Sequence, residues 1–213
     1  VLVVAQKIVS KAEGRIVPLS SVKPGPEALA LAQELGKDPA LVQIILQESR
    51  QVIRKGHGVL IVEDRRGIIC ANAGVDRSNV GNSGDEVVLL LPENPDLSAQ
   101  RLSQRLAGML GFPVPVIVSD THGRPFREGA VGIALGCHGL PALLDLRGHK
   151  DRYGRVLQST VVAVADMIAS AANLIMGQAD EGIPAVLVRG LTLEGEPTPA
   201  FALIREPELD LFR

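Results

Sequence analysis

Short apolar runs separated by polar turns fill the chain, and the runs follow two periodicities. Runs of about four to eight residues rich in Val, Ile and Leu predict strands. They are "LVVAQKIV" (Leu2–Val9), "IVPLSSV" (interrupted by Pro18), "GVLIVED", "EVVLLLP", "VPVIVSD", "PAVLVRGL" and "AFALIRE". Helical spacing marks "EALALAQELG", which stops at Gly36, and "PALVQIILQESRQVI", where Asp38 is the N-cap and Pro39 the first helical residue. It also marks "DLSAQRLSQRLAGMLG" (Asp96–Gly111) and the almost wholly apolar "STVVAVADMIASAANLIMG" (Ser159–Gly177). "KPGP" (Lys23–Pro26) is a breaker, and Gly58–Gly74 reads as a β-hairpin turning at "RRG". Strands neither alternate strictly with helices nor cluster apart. The pattern predicts an α+β fold, with mixed and antiparallel sheets flanked by helices.

Composition narrows this. A chain of 213 residues makes one domain or two small lobes. With 2% aromatic residues the core is built from Val, Leu, Ile and Ala, and stacking platforms for single-stranded nucleic acid are lacking. A formal net charge of -2 supplies no general attraction to a phosphate backbone, although partners with a few phosphates fit a local basic patch. Cys70 and Cys137 show no ligand spacing and read as buried thiols in a reduced, cytoplasmic compartment. No apolar run approaches the ~18 residues that span a bilayer, so no membrane partner is expected. The chain opens without Met inside a predicted strand, which predicts that preceding sequence is missing.

Ionisable chemistry gathers in polar turns at strand ends. The first, "QKIVSKAEGR", holds Lys7 and Lys11, which suit phosphate oxygens as point charges or simply decorate a solvated strand end. The second, "NAGVDRSNVGNSGDE", sets Asp76 and Asn79 three apart with Ser78 between. These hard oxygens suit a divalent cation, and the same letters fit an Asx-turn that holds nothing. The third, "VSDTHGRPFREGAVGIALGCHGL", reads as a polar turn after Asp120 and Thr121, where Arg124 and Arg127 suit a carboxylate or phosphate and Glu128 suits holding one of the two arginines in place. His122 reads as a loop residue, and His138 beside Cys137 is a weak zinc signal.

A fourth feature is the helix end "NLIMGQADEGIP". Acidic residues at a helix C-terminus need a nearby positive charge or water. Asp166 lies inside the apolar helix and predicts an ion pair with Arg152 or Arg155. Met167 and Met176 read as core. No GxSxG elbow or nucleotide fingerprint occurs. Hard-oxygen ligands with Arg and Lys clamps and no activated nucleophile suit phosphate chemistry assisted by Mg2+ or Mn2+.

"VLVVAQKIVSKAEGR", "NAGVDRSNV", "VSDTHGRPFREGAVGIALGCHGL" and "DRYGR…ADMIASAANLIMGQADEGIPAVLVRG" occur in that order, and the chain closes on "LDLFR". Together they resemble the coenzyme F-420:γ-glutamyl ligase family over nearly the whole chain. The resemblance implies an unusual ligase fold in an intertwined homodimer. It also implies GTP-dependent addition of L-glutamate to a deazaflavin coenzyme precursor, first at the lactyl carboxylate and then through γ-glutamyl links. Mn2+ or Mg2+, aided by K+, is the implied cofactor, and an acyl-phosphate the implied route.

Carried over by position, Asp76 and Asp120 match metal ligands, while Thr121 and Gln178 match positions serving a second metal. Lys7, Lys11 and Asn79 match nucleotide contacts, and so does the segment of Met176, Gly177, Gln178, Ala179, Asp180, Glu181, Gly182 and Ile183. Asp120, Arg124 and Arg127 are the candidate catalytic residues, the arginine roles being inferred from their chemistry. Family members begin with a further nucleotide-contacting segment that this sequence does not contain. The competing readings are a metal-dependent phosphohydrolase and a non-catalytic nucleotide- or metal-binding module beside a reductase-like domain.

Overall fold

In a computed structural model of the protein, which describes residues 1–80 and 86–211, short strands form several separate sheets with helices beside them. The fold is α+β, as the pattern of runs predicts. In chain order the elements begin β1 (Leu2–Ala5), α1 (Gln6–Ala12), β2 (Ile16–Pro18), α2 (Pro26–Leu35) and α3 (Pro39–Gln47). Strands β3 (Ser49–Gly56), β4 (Val59–Asp64), β5 (Ile69–Ala71) and β6 (Val87–Leu89) follow. Then come α4 (Pro95–Leu110), β7 (Val116–Arg124), β8 (Arg127–His138), β9 (Leu143–Asp145), β10 (Val161–Ala163), α5 (Val164–Met176) and β11 (Ala185–Leu187).

The chain divides into two units. The first comprises Val1–Gln6, Asn94–Arg124 and Gly129–Arg205, and the second takes the rest of the described chain. In the first, one sheet has the order β11-β1-β7-β8, with Val4 opposite Val118 in parallel and Val3 opposite Val186 antiparallel. Helix α5 packs on it through Ala165, Ala169 and Ala172, whose small side chains let the helix approach Val3 and Ile117 closely. Helix α4 starts with an Asn94 side-chain cap on the Leu97 N–H at 3.0 Å and Pro95 in the first turn. Its N-terminus lies so near β8 that a Cβ on Gly136 would sit 2.1 Å from the Pro95 carbonyl carbon. Asp96 secures the junction, its Oδ1 accepting from the Cys137 and Ala200 amides at 2.8 Å each.

In the second unit α2 and α3 pack together, and β3, β4 and β5 form an antiparallel sheet. Leu41, Val42, Ile45, Leu60, Val62 and Val88 fill the core between these elements. Asp38 caps α3 by accepting from the Leu41 amide at 3.0 Å. β2 pairs with β6, carrying Pro18 opposite Val87.

Several boundaries differ from the sequence expectation. The first strand ends at Ala5 and the chain turns at once into α1, whose buried residues Gln6, Val9 and Ser10 repeat at helical spacing. Two of those three are polar, which hides the helix from an apolar-run reading. Helix α3 stops at Gln47, and the segment expected to continue it is the largely exposed strand β3. Val161 and Val162, β-branched, pair with β9 as β10, so the apolar helix starts at Val164 and not at Ser159. "AFALIRE" contains a 3-10 turn at Ala200–Leu203 in place of a strand. Met176 is buried but Met167 is 63% exposed, so only the first belongs to the core.

Candidate functional site

The second unit brings four of the sequence-nominated residues together. Because α1 is a helix, Lys7 and Lys11 lie one turn apart and their amines reach the same neighbouring loop. Lys7 Nζ donates to Asp76 Oδ2, to Ser78 Oγ at 2.8 Å and to the Ser78 carbonyl at 3.1 Å. Lys11 Nζ donates to the Asn79 carbonyl at 2.6 Å. Asp76 is fixed by paired backbone hydrogen bonds to Leu89, 2.9 Å and 2.8 Å, at the end of β6. Its Oδ1 accepts from both the amide and the hydroxyl of Ser78 at 2.8 Å, an Asx-turn, and Asn79 follows at a positive φ of 55°. Burial raises the Asp76 pKa, but the hydrogen bonds from Lys7 and from the Ser78 amide and hydroxyl outweigh it and hold the carboxyl below its ordinary value.

The segment expected as a polar turn is a β-hairpin. β7 continues through Asp120, Thr121 and His122 to Arg124, Pro125 and Phe126 make the turn, and β8 resumes at Arg127. Backbone pairing is indifferent to side-chain polarity, so the strand outlasts its apolar run. Asp120 Oδ2 lies 3.2 Å from His122 Nε2, and Thr121 Oγ1 accepts from the Asn173 side-chain amide of α5 at 3.2 Å. Arg124 Nη1 donates to the Gly129 carbonyl at 3.2 Å, while Arg127 and Glu128 are exposed. No ion pair among the described residues joins Glu128 to an arginine.

Asp166 departs from expectation. Its Oδ1 accepts from the Ala134 amide of β8 at 2.9 Å, and Arg152 and Arg155 are exposed. Burial pushes its pKa up, with the Ala134 N–H and the His122 charge only partly offsetting this.

At the end of α5, Met176 is buried against Ser119 Oγ, 3.9 Å from its sulfur. Gly177 then takes a φ of 72° and the exposed loop Gln178, Ala179, Asp180, Glu181, Gly182, Ile183 follows. The Glu181 carboxylate folds back to accept from the Ala179 amide at 2.8 Å, against the face of Gly177 where a Cβ would lie 2.0 Å from Glu181 Cδ. The amides of Ala179, Glu181 itself and Gln178 lower the Glu181 pKa. The acidic helix end is thus served by backbone N–H groups, a partner that leaves no letter in the sequence.

As a cation site the donor chemistry is specific. The oxygens around Lys7 Nζ are a carboxylate, a hydroxyl and a carbonyl, which match a hard divalent ion. Among the described residues no group of three or more His, Cys, Asp or Glu exists, so a zinc-type site is not formed. Cys70 and Cys137 are buried thiols outside any disulfide, and burial, then Asp96 and Asp166, push the Cys137 thiol up to about 12, far from a nucleophile. No helix of the described residues is long and apolar enough to cross a membrane. One contributor escaped the sequence nominations, Asn173. A further polar residue seven positions after Asp166 on an apolar helix is the signal that would have found it.

The family model for F420-0:Gamma-glutamyl ligase matches residues 1–190. The whole chain aligns with the coenzyme F420:L-glutamate ligase of Methanopyrus kandleri at 51% identity, spanning 85% of that protein. It aligns equally with the enzyme of the same name from Methanothermobacter thermautotrophicus, 51% identical over 84% of that protein. The namesake from Methanocaldococcus jannaschii is 44% identical, again with all of this chain and 84% of the relative covered.

Proposed function

The chain belongs to the F420-0:γ-glutamyl ligase family, and from that premise we propose that it joins L-glutamate to a coenzyme F420 precursor, with GTP as the energy source. The observation that carries the reading is the oxygen set of Asp76 and Ser78 wrapped around a cation beside a second lysine. Asp76 with Ser78 would hold Mn2+ or Mg2+, and Asp120, Thr121 and Gln178 are assigned as further metal ligands, with K+ as an aid. When bound, the metal supplies charge neutralisation at the phosphates.

Lys7 and Lys11 meet phosphate oxygens as mobile point charges. The exposed loop after Gly177 meets the nucleotide in this reading. Arg124 and Arg127 present forked donors suited to the carboxylates of glutamate and of the deazaflavin. The precursor carboxylate attacks the γ-phosphorus and GDP leaves, giving an acyl-phosphate. The glutamate amine then attacks the acyl carbon, and phosphate leaves as the amide forms. The assembly in this reading is a homodimer.

Full-length protein incubated with GTP, Mn2+, glutamate and the unglutamylated deazaflavin tests this. The expected result is GDP release that requires glutamate, with a matching mass gain on the deazaflavin. GDP release indifferent to glutamate would mean a phosphohydrolase, and nucleotide binding without turnover would mean a binding module. Asp120→Asn is expected to weaken metal binding and abolish turnover while the protein stays folded.

A further inference from the structure

The ammonium of Lys7 sits where the oxygens of the Asp76 turn converge. Three oxygens of three types, Asp76 Oδ2, Ser78 Oγ and the Ser78 carbonyl, converge on one nitrogen, and the last two lie at 2.8 Å and 3.1 Å. Asp76 Oδ1 is meanwhile engaged by the Ser78 amide and hydroxyl, so the carboxylate and the hydroxyl are already oriented toward a shared cation. We propose that Lys7 is the resident counter-ion of the Asp76 cation site, and that Ser78 is a ligand of the divalent ion that replaces it. The proposal rests on the metal-assisted reading above and adds two roles to it.

The physical argument is one of exclusion and charge. An ammonium and a divalent ion cannot share Asp76 Oδ2 and Ser78 Oγ, since both are repelled cations needing the same lone pairs. With Lys7 in place the Asp76–Lys7 pair sums to zero and the oxygen set stays satisfied without metal, which avoids an unpaired part-buried carboxylate. Exchange for a divalent ion keeps Asp76 neutralised and releases the Lys7 amine. The local sum rises from zero to +2, which suits a polyphosphate. The flexible four-carbon stem lets the amine swing without moving α1. Lys11, held on the Asn79 carbonyl, keeps the loop pinned while Lys7 moves. Nucleotide and metal then bind cooperatively, because the site beside the Lys11 ammonium gains two positive charges when the metal enters.

The test uses Mn2+ alone, titrated into the full chain without nucleotide, with free Mn2+ read by electron paramagnetic resonance. Lys7→Met removes the competing charge and is expected to tighten Mn2+ binding at least ten-fold. Lys7→Arg keeps a charge and is expected to show no such gain. Adding Ser78→Ala to Lys7→Met should lose at least three-fold of the gained affinity, and Asp76→Asn should abolish binding at this site. Lys7→Gln, uncharged and able to hydrogen-bond Asp76, reads the same quantity if Lys7→Met does not fold. Unchanged or weaker Mn2+ binding in the uncharged variants, with Asp76→Asn still inactive in binding, overturns the counter-ion role and leaves the metal reading standing. Mn2+ binding that survives Asp76→Asn with affinity and stoichiometry intact removes Asp76 and Ser78 from the metal reading and leaves it to Asp120 and its neighbours.

Discussion

Asp76 and Asp166 are two part-buried carboxylates, one in each unit, and the fold treats them in opposite ways. Burial disfavours the charge on both. Asp76 receives a lysine ammonium, a serine hydroxyl and an amide, and its pKa falls below the ordinary value despite burial. Asp166 receives one amide, from Ala134, and its pKa stays raised. The difference lies in the number and charge of the donors, not in depth. It separates a carboxylate kept ionised, ready to trade one cation for another, from one that serves as a hydrogen-bond acceptor splicing α5 to β8.

Removing the charge at the first of these positions should have the largest effect. Asp76→Asn leaves Lys7 and Ser78 in place but deletes the anion, and glutamate-dependent turnover is expected to fall about 10²-fold or more. Stability should change little, because the partly exposed pair with Lys7 contributes about 0–1 kcal/mol, or at most about 2–4 °C in Tm for a chain of this size. Near-normal activity in this variant would detach the cluster from the chemistry.

At the other carboxylate the effect is structural. Asp166→Ala leaves the buried Ala134 amide without its acceptor and should cost about 1–3 kcal/mol in denaturant unfolding. Asp166→Asn keeps an oxygen at the same place and should recover most of that loss. Equal losses in the two variants would show that the charge matters there and the hydrogen bond does not.

The two carboxylates should also respond to pH with opposite signs. Where the folded pKa of Asp166 exceeds the unfolded one, the native state binds more protons, so this group's contribution to stability falls as pH rises from the unfolded value through the folded one. Asp166→Asn should therefore gain on the wild type as pH is raised from about 4 toward neutrality. For Asp76 the folded pKa lies lower, so its contribution is present above the unfolded value and is lost as pH falls through the folded one. Asp76→Asn in metal-free buffer should lose ground to the wild type over a different range, as pH rises from the folded value to the unfolded one below about 4. Unfolding curves at several pH values check both slopes, and slopes of the same sign would refute the contrast.

What could be read from the letters depended on whether the cause was local. Asp38 with Pro39, and the stops at Gly36 and Gly111, were legible because caps act within one turn. Asp76, Ser78 and Asn79 were legible as oxygen-rich turn residues, and the Asx-turn is present. The partner of Asp76 was not, because Lys7 lies 69 positions away and on a helix that the apolar run disguised as a strand. In a strand, Lys7 and Lys11 would stand ~13 Å apart, too far to pin one loop together. The partners of Asp166 and Glu181 were illegible for a different reason: both are backbone amides, which every residue except proline carries.

The smallest expected effect closes the comparison, because the sequence and the structure disagree about it. A buried charge on an apolar helix invites an arginine, and Arg152 and Arg155 are near in sequence. Losing the partner of a buried ion pair would leave an uncompensated charge and cost about 3–5 kcal/mol. In the fold both arginines are exposed, and their loop is organised by Asp151, whose Oδ1 accepts from the Tyr153 and Arg155 amides at 2.8 Å and 2.9 Å. Those bonds involve the backbone of residue 155 and survive a change of its side chain. Arg152→Ala and Arg155→Ala should each leave the unfolding free energy within about 0.5 kcal/mol of the wild type. A loss of several kcal/mol in either would restore the ion pair and return Asp166 to the same class as Asp76.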